Sequence, residues 1–197
     1  AYNHSWGGNS ATRNPMYQEL YVRWLQFGVF CPMMRSHGAS VPREFYWYGK
    51  AGEPVYDALV DAVKLRYTLL PYIYSTSWDV THNRSTFMRA LFMDFLHDKQ
   101  TWDIKSEYMF GKAFLVAPVI HSQYTPEIRQ KNLKENEGWN QDNKNTIQSD
   151  STITSFTQSK SMEIYLPAGT CWYDFWTNEM KEGGQKLIVS TSFNHIP

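Results

Sequence analysis

The chain has 197 residues, enough for one domain, two small ones or a part of something larger, and its 19 basic and 19 acidic side chains cancel. Balanced charge gives no sign of attraction to nucleic acid, an anionic membrane or an acidic substrate, and no apolar run reaches the roughly 20 residues that span a bilayer. Aromatic residues make up 16% of the chain, 8 Trp and 13 Tyr among them, which suits a large core or flat platforms for sugars.

Taken in chain order, the opening "AYNHSWGGNSATRNP" has no basic region followed by an apolar one and does not read as a signal peptide. Asn14 and Pro15 form an N-cap and first-turn pair. Tyr17, Leu20, Tyr21, Trp24, Leu25 and Gly28 then recur at helical spacing, which predicts a helix from Pro15 to Phe27. Val29 to Met34 is too short for a helix and fits a strand buried on both faces. A loop from Arg35 to Pro54 follows, carrying Arg35, His37, Arg43 and Glu44, with Gly38 at a sharp turn. A longer helix starts near Pro54, its inner side marked by Val55, Leu59, Ala62, Val63, Arg66, Leu70, Ile73 and Tyr74. Pro71 should kink it, because proline removes a backbone donor and crowds the preceding turn.

After Asn83 the pattern changes. "TFMRALFMDF", "AFLVAPVI", "MEIYLPAG", "CWYDFW" and "KLIVST" are short apolar segments between turns, the signature of an antiparallel sheet. "KEGGQK" reads as a hairpin turn. Ser122 to Lys160 is rich in Asn, Gln, Lys, Ser and Thr and is expected to build no core, as a long exposed excursion or a partly disordered segment.

The remaining chemistry is sparse. Cys31 and Cys171 are too few for a disulfide framework and read as buried free thiols. His4, His82, His97, His121 and His195 lack metal-ligand spacing, and no Gly-rich phosphate loop follows a strand, so neither a metal nor a cofactor is expected. Asp94, Asp98, Asp103 and Asp174 read as turn and capping carboxylates. Asn3 and Asn83 fit the glycosylation acceptor pattern, which arises often by chance. A strand between helices with polar residues at its C-terminal end is the local grammar of a (β/α)8 barrel, whose active site lies at that end. Arg35, His37, Arg43 and Glu44 would then stand at the barrel mouth, either touching a ligand or, for the two arginines, paired with Glu44 or backbone carbonyls to hold the loop.

"YQELYVRWLQFGVFCPMMRSHG", "PREFYWYG", "LRYTLLPYIYS", "MRALFMDF", "YMFGKAFLVAPV" and "YLPAGTCWYDFWTNE", in this order, resemble glycoside hydrolase family 31. The resemblance implies an α/β plus all-β chain: the C-terminal portion of a (β/α)8 TIM barrel over residues 1–84, then an antiparallel β-sandwich over 85–197 with a polar insertion at about 122–160. That family contains retaining α-glucosidases and α-xylosidases that use two aspartates. Both aspartates lie on earlier barrel strands, so the resemblance implies no catalytic residue within these 197 residues. The histidine of the family's R-x-H-G turn, which contacts the sugar being cleaved, matches His37, and the arginine two before it matches Arg35. The implied partners are an oligosaccharide substrate and the remainder of the barrel.

The form "MRSHGASVPREF" and the helix after it look more like the α-xylosidase branch than the α-glucosidase branch. Cys171 departs from the family's "PAGTWYDFW" and is expected to bulge its strand, and the final "FNHIP" resembles the start of a further strand. A reading of a different class is a non-catalytic carbohydrate-binding module with Trp172 and Trp176 as its platform. The two would stand on one strand face, so exposed coplanar rings would favour the module and burial of both would reject it.

Overall fold

A computed structural model describes residues 8–37, 41–125 and 155–196. The expectations that fall on Asn3, His4, Gly38 and most of the 122–160 insertion lie outside the described residues.

A 3₁₀ turn, Gly8–Arg13, leads into helix α1, Pro15–Val29, which starts where the sequence predicts. The Asn14 side chain accepts from the Met16 N–H at 3.0 Å, and Pro15 occupies a position whose N–H would be orphaned in any case. Helix α2, Pro54–Thr68, packs against α1. Pro71 breaks this second helix outright: α3, Leu70–Asn83, starts afresh after Leu69. Its inner side is narrower than the periodicity predicts, because Leu70 and Tyr74 point outward, as does Trp24 on α1.

No strand forms at Val29–Met34. Val29 ends α1, and the Phe30 and Cys31 N–H groups turn back onto the Phe27 and Gly28 carbonyls at 3.1 and 3.2 Å. Pro32 has no N–H to offer. The carbonyls of residues 29 to 32 are taken by side chains: Arg66 of α2 donates to Val29, Cys31 and Pro32 at 2.7, 2.6 and 3.0 Å, and Tyr108 donates to Phe30 at 3.1 Å. An apolar run therefore becomes a side-chain-bracketed turn, and Met33 stands in solvent.

The second half is antiparallel. β1 (Met88–Ala90), β2 (Tyr108–Phe110) and β3 (Phe114–Val116) form one sheet in that order. Between β1 and β2 the apolar run "LFMD" is a helical turn, α4 (Leu91–Asp94), instead of a strand continuation. Tyr72 of α3 donates to the Phe110 carbonyl at 2.9 Å and accepts from the Ala113 N–H at 3.0 Å, so α3 is seated on the β2–β3 turn. Gly111, at φ 60°, makes that seat possible: a Cβ there would collide with the Tyr72 hydroxyl.

β4 (Ser161–Leu166) pairs with β7 (Gln185–Ser190), while β5 (Cys171–Tyr173) pairs with β6 (Met180–Glu182). "KEGGQK" is accordingly no hairpin turn. It is the crossing between two nested ribbons, where the Gly183 N–H reaches Thr170 O at 3.0 Å and the Gly184 N–H reaches Leu166 O at 2.7 Å. Cys171 keeps the β5–β6 register, opposite Glu182, and causes no bulge within the strand. Its thiol is exposed and that of Cys31 half-buried, so neither is the buried thiol expected. "FNHI" forms a turn closed by the His195 N–H on Ser192 O at 2.8 Å, not a strand.

One core runs through both halves, joining Tyr17, Val22, Leu59 and Ile73 to Phe110, Val116, Tyr124 and Phe193. A buried polar stripe on α1 fixes the junction. Glu19 accepts from the backbone of Gln123, Tyr124 and Thr125 and from the Thr125 hydroxyl, at 2.6 to 3.3 Å. Arg23 donates to Thr191 O at 2.7 Å and Gln26 to Phe193 O at 2.8 Å. The described ends of the 122–160 stretch are thus part of the core: Tyr124 is buried, and Phe156 stacks on Phe193 at 4.2 Å. Buried backbone groups need partners, and these three side chains supply them where no ladder does.

Candidate functional site

Arg35 and His37 lie on the segment that leaves the bracketed turn, and both are exposed. Arg35 Nη2 stands 3.2 Å from His37 Nδ1. A guanidinium can only donate, so Nδ1 accepts and the imidazole's proton sits on Nε2, free to donate outward.

Arg43 and Glu44, on the far arm of the same loop, do something else. The Arg43 guanidinium turns inward over the Tyr17 and Tyr21 rings, 5.7 and 5.9 Å from their centroids, and donates to Val41 O at 2.9 Å. Glu44 accepts from the Arg43 N–H at 3.2 Å. Of the four residues singled out by sequence, Arg35 and His37 face outward together, whereas Arg43 holds the loop.

What the sequence did not single out is the tyrosine group beneath. Tyr17, Tyr21 and Tyr48 are buried, with Tyr21 and Tyr48 rings 4.7 Å apart. Tyr21 donates to Arg43 O at 2.9 Å and Tyr48 to Pro42 O at 2.8 Å. Burial, and then Tyr17 and Tyr21, push the Tyr48 phenol above its ordinary value, so it stays a donor. In the sequence Tyr17 and Tyr21 read only as apolar helix positions and Tyr48 as a loop residue, and nothing in their spacing marks the hydroxyls.

Elsewhere, Asp94, Asp98 and Asp174 make structural contacts. Asp94 forms a two-oxygen ion pair with Arg89, closest contact 2.7 Å. Asp98 accepts from Tyr165 Oη at 2.6 Å and from the Ala168 and Gln100 N–H groups. Asp174 caps the turn at Trp176 and Thr177. Among the described residues no three His, Cys, Asp or Glu side chains gather to hold a metal, and no described helix is long and apolar enough to cross a membrane.

Trp172 and Trp176 do not share a strand face, because β5 ends at Tyr173. Trp172 packs on Phe95 at 5.6 Å and donates to Pro167 O. Trp176 packs on Phe175 and His195 and donates to Ile196 O. Trp172 is half-buried and Trp176 exposed, each against its own partners, so among the described residues the two rings do not form one platform.

The sequence profile described as the glycosyl hydrolases family 31 TIM-barrel domain matches residues 2–76, and the glycosyl hydrolase family 31 C-terminal domain matches 84–140 and 134–197. The chain belongs to glycosyl hydrolase family 31. An α-xylosidase of Saccharolobus solfataricus is 34% identical over 190 residues, covering 96% of this chain and 20% of that protein. Mouse lysosomal α-glucosidase is 33% identical over 162 residues, covering 77% of this chain and 16% of that protein. The crystal structure of a family 31 α-xylosidase from Xanthomonas citri superposes with a TM-score of 0.70 at 33% identity, over 93% of this chain and 16% of that one. The chain thus spans about a fifth of the length of the curated relatives it matches. The fold is a portion of the family's TIM barrel joined to its C-terminal domain.

Proposed function

We propose that this chain is the sugar-binding end of a retaining α-glycosidase that removes terminal α-xylosyl residues from xyloglucan-type oligosaccharides. In this reading residues 1–84 belong to the barrel and 85–197 to the sandwich. The observation that carries it is the outward-facing Arg35–His37 pair, with Arg35 holding Nδ1 and Nε2–H left to donate. His37 would hydrogen-bond a hydroxyl of the sugar being cleaved, and Arg35 would fix the imidazole's tautomer and brace the turn. The two carboxyl groups of a retaining mechanism, about 5–5.5 Å apart, would come from the remainder of the barrel. The xyloside preference is supported by the "MRSHGASVPREF" form and by two of the relatives named above.

The test is kcat/KM of the complete enzyme carrying this chain on 4-nitrophenyl α-xyloside and α-glucoside. A higher value on the xyloside is expected. A higher value on the glucoside would replace the xylosidase reading with an α-glucosidase, since the two substrates differ by the C6 hydroxymethyl group. Turnover of neither would remove both.

A further inference from the structure

Ser36, the residue before His37, is tied across the loop by one hydroxyl. Tyr21 Oη lies 2.8 Å from Ser36 Oγ and donates to Arg43 O at 2.9 Å. A phenol carries a single proton, and with that proton on the Arg43 carbonyl, Ser36 must be the donor of the other bond. The relay therefore runs from the Ser36 hydroxyl to the Tyr21 hydroxyl to the carbonyl of Arg43. The far arm on which it ends is itself fixed: Val41 O, Pro42 O and Arg43 O each accept from a side chain, Arg43, Tyr48 and Tyr21 respectively. Tyr21 is 2% exposed, and its ring packs in a triangle with those of Tyr17 and Tyr48, at 6.5 and 4.7 Å, which are themselves 6.4 Å apart. It grows from the middle of α1, whose core packing sets where the hydroxyl stands.

Among the described residues His37 has no comparable anchor of its own. Its side chain is exposed, and its side-chain hydrogen bond is to Arg35, on the same short segment. A pair of residues that hold only each other can move together, and ordering them against a substrate then costs conformational entropy. The Ser36 tie is the described link between this pair and the rigid helix.

We infer that Tyr21 is a positioning residue for sugar binding by His37: its hydroxyl closes the loop from Ser36 to Arg43 and so aims the imidazole at the substrate. This rests on the reading of His37 as a sugar ligand. It goes beyond that reading in assigning the orientation of the ligand to a buried phenol on the preceding helix.

The test is a double-mutant cycle in the complete enzyme, with kcat/KM on whichever of 4-nitrophenyl α-xyloside and α-glucoside is turned over faster. Tyr21→Phe keeps the ring and its packing and removes only the tie. With both bonds of the relay lost, it should lower kcat/KM by about 3- to 10-fold. In the His37→Ala background the same change should cost less than about twofold, because the group it aims is gone. Ser36→Ala removes the tie from its exposed side and should act in the same direction, which keeps the test decisive if Tyr21→Phe melts far below the parent. Equal costs of Tyr21→Phe in both backgrounds, or full activity of both Tyr21→Phe and Ser36→Ala, would overturn the positioning role while leaving His37 a sugar ligand. Full activity of His37→Ala would instead overturn the ligand reading itself, and the inference with it.

Discussion

His37 and Glu107 show how environment alone assigns work to a titratable side chain. His37 is exposed, and its Nδ1 is occupied by Arg35, which leaves one donor facing outward. A hydrogen bond to a sugar hydroxyl is worth about 0.5–1.5 kcal/mol, or up to about 3 to a charged group, so His37→Ala in the complete enzyme should lower kcat/KM by about 3- to 150-fold. A loss beyond about 10⁴-fold in a folded variant would make His37 a participant in the chemistry. Glu107 is the opposite case. It is buried beneath β4, one oxygen accepts from the Tyr165 N–H at 2.9 Å, and the other has no partner among the described residues. Burial pushes its carboxyl up to about 7, with the Tyr165 N–H opposing. Between its ordinary value and about 7 the folded protein keeps a proton that the unfolded chain has released, so stability falls as pH rises through that window. Glu107→Gln removes this dependence. Its melting temperature should gain on the parent's progressively from about pH 5 to pH 7.5, and a constant difference across that range would show that the carboxyl does not titrate there.

At the scale of elements, two nested ribbons depend on Gly183. A Cβ on this residue would run into the carbonyl oxygens of Pro167 and Thr170, which are backbone and cannot swing aside. Gly183→Ala should therefore destabilise the protein by about 1–3 kcal/mol, read as a lower melting temperature. An unchanged value would mean that the crossing has room to relax. The sequence could not show this crossing, because the groups that meet there are more than ten residues apart and "GG" between strands is equally the mark of a hairpin. The starts of α1 and α2 were legible for the converse reason: a proline in the first turn and apolar spacing are local. Val29–Met34 was misread because its apolar run looks the same whether a strand ladder or Arg66 and Tyr108 take its carbonyls. At the site the same division holds. Arg35 and His37 sit in a short motif that can be read directly, whereas the Ser36–Tyr21–Arg43 relay joins residues 15 and 22 positions apart.

Across the whole molecule the apolar surface is unevenly covered. The shared core is closed, and Glu19, Arg23 and Gln26 bind α1 to the loops at 123–125 and 191–193. On the outer side of α2 and α3 the situation reverses: Tyr67, Leu70, Tyr74 and Trp78 are 68%, 45%, 80% and 55% exposed. Leu70, Tyr74 and Trp78 are four residues apart in turn and form one stripe on α3. Isolated apolar side chains on a surface are ordinary, but a contiguous apolar stripe along one helix is a face shaped for a neighbour. We expect that neighbour to be the remainder of the barrel, and the two aspartates the family uses to lie there as well. Residues 1–197 produced alone should then bind a hydrophobic dye, self-associate on sizing and leave 4-nitrophenyl α-xyloside and α-glucoside unhydrolysed. A monomeric, cooperatively melting preparation would show that the stripe needs no cover, and turnover by it, free of the parent enzyme, would place the reacting carboxylates within these residues.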